Sequence, residues 1–352
     1  MDRAHLLAKH EDALINHAVD CFNLNTESLT SFDAYEGCEN LVYACQRRNT
    51  PMILRISFRS DRSLPQIEAE IDFIQYLDQN GVRVSTPIAS NRGNLIETLV
   101  MEDTYLHLVC FHKGRGIRVP DNGYRYRQDA PIQEYFRNWG AILGQMHACA
   151  RSYTPQAPPR CRPDWFELHA AKLDLDAVFP ADLSLAREKI RHLLEKVRSL
   201  PRNEGGFGLI HGDFNDGNFT VDYSNGDITV FDFDDCCTFW FAYELASAWE
   251  GGIGRAMFME LPDRKRYMQE YMHHVLAGYS SKNDLSDEWL KEIPLFIRLI
   301  QAEELLHYSR YFGTEDPEIN AHLKYLITCI ENDLPYMGFF DPIYSPEQPF
   351  LL

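Results

Sequence analysis

The sequence predicts an α+β fold in two parts, an antiparallel sheet with a helix against it followed by a mainly helical remainder. Three observations lead there. Between residues 28 and 111, short strand-like runs alternate with turn material, with a single amphipathic helix among them. From residue 131 onward, apolar residues recur at helical spacing in successive segments. Among those segments one stretch, FGLIHGDFNDGNFTVDYSNGDITVFDFDD at 207–235, returns to strand-like runs and gathers acids at their ends.

A chain of 352 residues can build one large domain or two lobes. Its 45% hydrophobic and 24% charged residues are an ordinary globular balance. The net charge of -18, from 52 acids against 34 bases, disfavours nucleic acid and anionic membranes as partners and suits cationic ligands. The Cys number 9 is odd and no pair has Cys-x-x-Cys spacing, so reduced thiols are expected, with Cys236-Cys237 read as two small buried thiols. The start, MDRAHLLAKHEDALINHAVD, lacks the apolar core of a signal peptide, and no apolar run is long enough to span a membrane. These features point to a cytoplasmic protein, with the oligomeric state open between monomer and homodimer.

In chain order, residues 3–19 read as a helix, followed by strands at Ser28–Tyr35, Asn40–Gln46 and Met52–Phe58. Glu36-Gly37-Cys38-Glu39 and Arg47–Pro51 supply the turns. Residues 65–79 form a helix with Pro65 in its first turn, a stripe of Ile67, Ile71, Ile74 and Leu77, and a stop at Asn80-Gly81. A hairpin follows, Asn94–Met101 and Tyr105–Phe111 about Glu102-Asp103-Thr104. The link HKGRGI reads as a hinge and divides the chain into 1–111 and 112–352.

The second part has a helix at 131–152 with Tyr135, Trp139, Ile142, Leu143 and Met146 on one face and His147 as a packed side chain. A Pro-rich connection at 153–164 and helices at 165–178 and 183–200 come next. After the 207–235 stretch, a helix through Tyr243, Leu245, Ala246 and Trp249 is interrupted by Gly251-Gly252 and Gly254. Helices are expected at 262–279, 286–312 and 318–335, then an extended tail at 338–352. Glu303 and Glu304 face different sides of their helix and read as a solvated face, with one of them facing an acceptor amine as the alternative.

The chemistry lies in 207–235. Asn225-Gly226 between strand-like runs signals a hairpin. Carboxylate and amide oxygens at its loop ends suit a hard cation such as Mg²⁺, and a carboxylate beside a metal-bound phosphate suits phosphoryl transfer. His211-Gly212-Asp213, Asn218 and Asp232-Phe233-Asp234-Asp235 resemble the catalytic loop and metal-binding Asp of the protein kinase-like superfamily, in the form found in its aminoglycoside phosphotransferase and choline kinase-like branch.

That resemblance implies a two-lobed protein kinase-like fold, an N-lobe of antiparallel sheet plus helix that binds nucleotide and a mainly helical C-lobe that carries catalysis and the acceptor. It implies that Asp213 faces the acceptor hydroxyl, that Asn218 and Asp232 hold Mg²⁺, and that His211 braces the loop. The turn at Gly37 would cover the phosphates of ATP. Arg55 stands where many kinases have Lys, with Glu70 as its ion-pair partner and Glu68 as second choice. Backbone groups near Cys110 to His112 would meet the adenine edge. Asp234 and Asp235 have two readings, further metal contacts or negative charge presented to an acceptor amine. The implied activity moves the γ-phosphoryl group of ATP to a hydroxyl of a small molecule, such as an amino alcohol, an aminoglycoside or a sugar-like acceptor. A bacterial Ser/Thr protein kinase and a nucleotide-binding pseudokinase acting as an interaction protein are the alternatives.

Overall fold

A computed structural model of the protein describes residues 3–32, 40–58, 62–101, 104–155, 162–178, 183–256, 259–311 and 316–334. The chain forms two compact units, one of Met1–Arg115, Tyr153–Cys161 and Thr229–Asp234, the other of Gly116–Ser152, Arg162–Ile228 and Asp235–Leu352.

The first unit holds a five-stranded sheet made of β1 (Thr30–Ser31), β2 (Asn40–Arg47), β3 (Thr50–Ser57), β4 (Glu97–Met101) and β5 (Thr104–His112). The spatial order is β1-β2-β3-β5-β4, and every pairing is antiparallel. Helix α1 (Arg3–Phe22) contributes Leu14, Ala18 and Phe22 to a core shared with Leu41, Leu54, Ile56, Leu106 and Leu108. Burial of such side chains stabilises the unit by roughly 1.5–3 kcal/mol each. The β2–β3 connection is tighter than the sequence suggests. Arg48 and Asn49 both take positive φ, 48° and 67°, as in the two-residue turn that matches strand twist.

The first expected strand starts later than Ser28: Asn25 accepts from the Glu27 amide, residues 26–28 form a 3₁₀ turn, and among the described residues Thr30–Ser31 pairs with β2, while 33–35 lie outside the described residues. Strand β4 starts at Glu97 and not at Asn94, because Ser90, Arg92 and Asn94 all donate to the buried Glu97 carboxylate and fold the preceding segment onto it. Helix α2 (Leu64–Gln79) opens with the Gln66 side chain accepting from the Ser63 amide at 2.8 Å and with Pro65 in its first turn.

The second unit centres on α3 (Ile132–Ser152). The elements after it are α4 (Trp165–Leu168), α5 (Leu175–Val178), α6 (Ser184–Arg198), β6 (Phe207–Ile210) and β7 (Phe219–Val221). After β8 (Ile228–Val230), most of which belongs to the first unit, they continue with β9 (Cys237–Trp240), α7 (Phe241–Ala256), α8 (Leu261–Ser280), α9 (Asp287–Leu290), α10 (Ile293–Tyr311) and α11 (Pro317–Glu331). Helices α3 and α8 touch along their backbones: a Cβ at Gly140 would lie 1.8 Å from the Val275 carbonyl oxygen. Strands β6 and β9 pair antiparallel, and β7 ends in a turn where the Asp222 amide donates to Asp227.

Three helix expectations need correction. The segment 165–178 is two short helices, since the chain turns through exposed residues at 170–172 once Trp165 and Phe166 are buried. The segment 286–312 breaks between Leu290 and Ile293, and Pro294, lacking an N–H, sits in the first turn of α10. Conversely, α7 runs through its glycines. The Trp139 and Tyr271 rings lie against Gly251 and Gly252, where a Cβ would come within 2.9 Å and 2.7 Å, so packing holds helical residues that propensity disfavours. The tail 338–352 lies outside the described residues. Cys236 and Cys237 are fully buried, and no described helix is long and apolar enough to cross a membrane.

Candidate active site

In the second unit, β6 delivers the chain to His211-Gly212-Asp213. Gly212 has φ +89°, and a Cβ there would fall 2.2 Å from the Asp235 carbonyl oxygen. Neither the dihedral nor the space admits a side chain. Gly212→Ala is expected to cost about 1–3 kcal/mol of stability and to lower kcat at least about tenfold, since the next residue would be displaced. Urea denaturation alongside turnover checks it, and wild-type values for both would refute the constraint.

Asp213 is held at both carboxylate oxygens. Asn215 Nδ2 donates to Oδ1 and Asn218 Nδ2 to Oδ2, each at 2.8 Å. Asn218 also donates to the Asp213 carbonyl at 2.8 Å, closing the loop on itself. His211 is buried, and its Nδ1 accepts from the Asp213 amide at 3.3 Å. The Asp213 carboxyl is open to solvent yet ringed by protein. Burial raises its pKa, with nearby Asp235 adding, while His211 and the bonds from Asn218 and Asn215 oppose the rise.

A residue that sequence reasoning passed over anchors this loop from below. Glu244, fully buried in α7, accepts from the Gly212 amide at 2.9 Å and from His147 Nε2 at 2.7 Å. Tyr279 Oη accepts from Asn283 Nδ2 at 2.7 Å and lies 2.8 Å from His147 Nδ1, holding the ring from its other side. Burial works against the Glu244 charge, but the bonds from His147 and Gly212 outweigh it and the carboxyl lies below its usual range. The available signal was a lone acid in the otherwise apolar segment FAYELASAW.

Asp213 opens on a cavity of about 360 Å³ whose other walls include Lys172, Tyr243, Glu250, Glu303 and Glu304. Tyr243 donates to Glu303 at 3.0 Å, and burial pushes the Glu303 carboxyl up to about 8. Burial, then Glu304, Asp216 and Asp213, push Glu250 up to about 7. His322 Nε2 meets Glu304 at 2.7 Å. The solvated-face reading of Glu303 and Glu304 is thus corrected: α10 forms a wall of the cavity, and both acids reach it because partners on α7 and α11 hold them.

In the first unit, Arg55 on β3 donates to both carboxylate oxygens of Glu70 on α2, at 2.7 Å and 2.8 Å. The Arg55 guanidinium is 5% exposed and stays charged, because Glu70, Asp234 and Asp232 outweigh the cost of burial. Asp232, at φ 65°, has a half-exposed carboxylate 3.9 Å from Arg55. The neighbouring Val230 is tied to this unit by backbone bonds to Arg83 and Ser85. Asp234 accepts from Asn40 at 3.1 Å and lies 3.5 Å from Arg62, and neither Asp234 nor Asp235 lines the cavity. Gly37 lies outside the described residues. At the end of β5, the Cys110 carbonyl accepts from Ile88 and the His112 amide donates to Thr86. These two groups are bonded within the fold, and the second lone pair of the Cys110 carbonyl is left over.

A profile of the phosphotransferase enzyme family matches residues 34–282, which is most of the chain. The chain belongs to the phosphotransferase enzyme family. Amicoumacin kinase of Bacillus subtilis (strain 168) is 27% identical over 333 residues, covering 94% of this chain and 95% of that protein. A solved amicoumacin kinase in complex with AMP-PNP, Ca²⁺ and Ami is 27% identical with a TM-score of 0.85, covering 97% of this chain and 98% of the other. A microcompartment-associated aminopropanol kinase, 22% identical with a TM-score of 0.70 over 91% of this chain and 95% of the other, shares the fold. The phosphotransferase is accordingly a kinase with a small-molecule hydroxyl as acceptor, on a protein kinase-like fold.

Proposed function

We propose that this phosphotransferase moves the γ-phosphoryl group of ATP to a hydroxyl of a small, amine-bearing acceptor in the cavity beside Asp213. The observation that carries the reading is the pair Glu250 and Glu303, carboxyls lining the same cavity as a carboxylate held by two Asn side chains. A hydroxyl at Asp213 and an ammonium at Glu250 or Glu303 describe an amino alcohol. The relatives support it by name: one acts on amicoumacin and another on aminopropanol.

Asp213 accepts the acceptor hydroxyl as a hydrogen-bond donor, fixes its direction and takes its proton late. Positioning dominates phosphoryl transfer, so a strong base is unnecessary. Residues 1–111 bind the nucleotide, with Arg55 held by Glu70 toward its phosphates, and residues 112–352 bind the acceptor.

The donor chemistry fits Mg²⁺. The Asn218 amide nitrogen is spent on Asp213, which leaves its oxygen for a cation, and the Asp232 carboxylate is half exposed. Asn218 and Asp232 would hold it, and when bound it neutralises charge on the phosphates. The protein acts in the cytoplasm on this reading.

Titration supplies one test. Glu250 and Glu303 carry charge only above about 7 and about 8. kcat/KM for an amine acceptor is therefore expected to rise with pH through that window, and Glu250→Gln or Glu303→Gln to flatten it. The same groups oppose stability without acceptor. The folded state holds protons that the unfolded chain loses near 4.5, so stability falls as pH rises toward 8. A pH-independent KM in the wild type would sink the assignment. The deciding experiment is a thermal-shift and turnover screen with Mg-ATP against amino alcohols, aminoglycosides and uncharged sugars. Transfer confined to uncharged sugars would overturn the amine.

A further inference from the structure

The acidic cavity also has exposed basic side chains in its lining that the proposed chemistry leaves unused. Lys172, in the connection between α4 and α5, lines it together with His307 and Arg310 near the end of α10. The charges along α10 are ordered. Glu303, His307 and Arg310 follow at i, i+4 and i+7 and share one helix face, the acid first and the bases last, with Glu304 beside them on the cavity wall. Burial follows the same order, with Glu303 and Glu304 half-buried and Lys172, His307 and Arg310 exposed. Lys172 and Arg310 form no hydrogen bond or ion pair in the short range among the described residues, though the Lys172 charge favours the Glu303 carboxylate from across the cavity. The His307 imidazole is held below its usual range by burial and then by Lys172, against the pull of Glu304.

We propose that these basic side chains form a subsite for a carboxylate of the acceptor, so that the acceptor is a zwitterion with its ammonium among the deep acids and its carboxylate between Lys172, His307 and Arg310. This rests on the amine-acceptor reading above. Complementary charge at both ends orients the molecule, since reversing it would set like charges together at each end. A guanidinium offers a carboxylate two parallel donors, and Lys172 adds a mobile third. A volume of about 360 Å³ is enough for a hydroxy amino acid or a short hydroxylated peptide.

The test compares matched pairs on the full chain with Mg-ATP: serine with ethanolamine, homoserine with 3-aminopropan-1-ol, and seryl dipeptides with their carboxamides. The carboxylate member of at least one pair is expected to win by about tenfold or more in kcat/KM. Lys172→Glu and Arg310→Glu, both at exposed positions, are expected to erase or invert that ratio through KM, with kcat for the carboxylate member retained. Turnover of the amines with no carboxylate preference, or a preference untouched by both charge reversals, would overturn the subsite and leave the amine reading standing. Absence of turnover and of any thermal shift with every pair would instead overturn the amine reading, and the subsite with it.

Discussion

Asp213→Asn is expected to lower kcat by about 10²–10⁴-fold, the range of a positioned acid–base group, while Mg-ATP still binds. The amide keeps the volume and one acceptor oxygen, so the bonds from Asn215 and Asn218 survive in part. What disappears is the anion proposed to align the hydroxyl and receive its proton. Asp232→Ala should behave differently, weakening Mg-nucleotide binding first. Single-turnover transfer and nucleotide titration separate the two. An Asp213→Asn enzyme at wild-type kcat would remove this carboxylate from the mechanism.

The second large effect is on stability. Glu70→Ala strands Arg55, whose guanidinium is 5% exposed and makes both its short carboxylate bonds to that one residue. Removing one partner of a buried pair typically costs about 3–5 kcal/mol. Asp232 stands 3.9 Å away with a half-exposed carboxylate and compensates little. Replacing both residues, Arg55→Met with Glu70→Met, should recover much of the loss, because no buried charge then remains unpaired, yet nucleotide affinity should stay low. Urea denaturation of the two single variants and the double forms the cycle. A double variant as unstable as Glu70→Ala would mean that the loss comes from packing and not from charge.

These two predictions differ in how they could be reached. Asp213 was visible in the chain because a short motif brings its own geometry: two Asn residues within five positions restrain its carboxylate, and Gly212 permits the turn before it. The Arg55–Glu70 contact was narrowed by the helical stripe of α2, which faces the sheet, and the family resemblance decided between Glu70 and Glu68. Glu244 was not reachable that way. Its partners lie on α3 and at the loop itself, far apart in sequence, and a single acid in an apolar helix does not say what it meets.

The fold class, the order of sheet and helices, and the loop proposed here for the phosphoryl chemistry were legible in the sequence, because strand alternation, helical stripes and a compact motif are local properties. The sequence could not place the breaks at 169–174 and 291–292, the continuity of α7 through its glycines, or the cavity wall made by Glu303 and Glu304. Those depend on which ring packs over Gly251, and on Tyr243 and His322 arriving from other helices to hold the two acids. Local preference sets which residues can form an element. Tertiary packing decides where that element stops and which of its polar side chains are drawn inside, since a buried carboxyl is tolerated only where distant donors meet it.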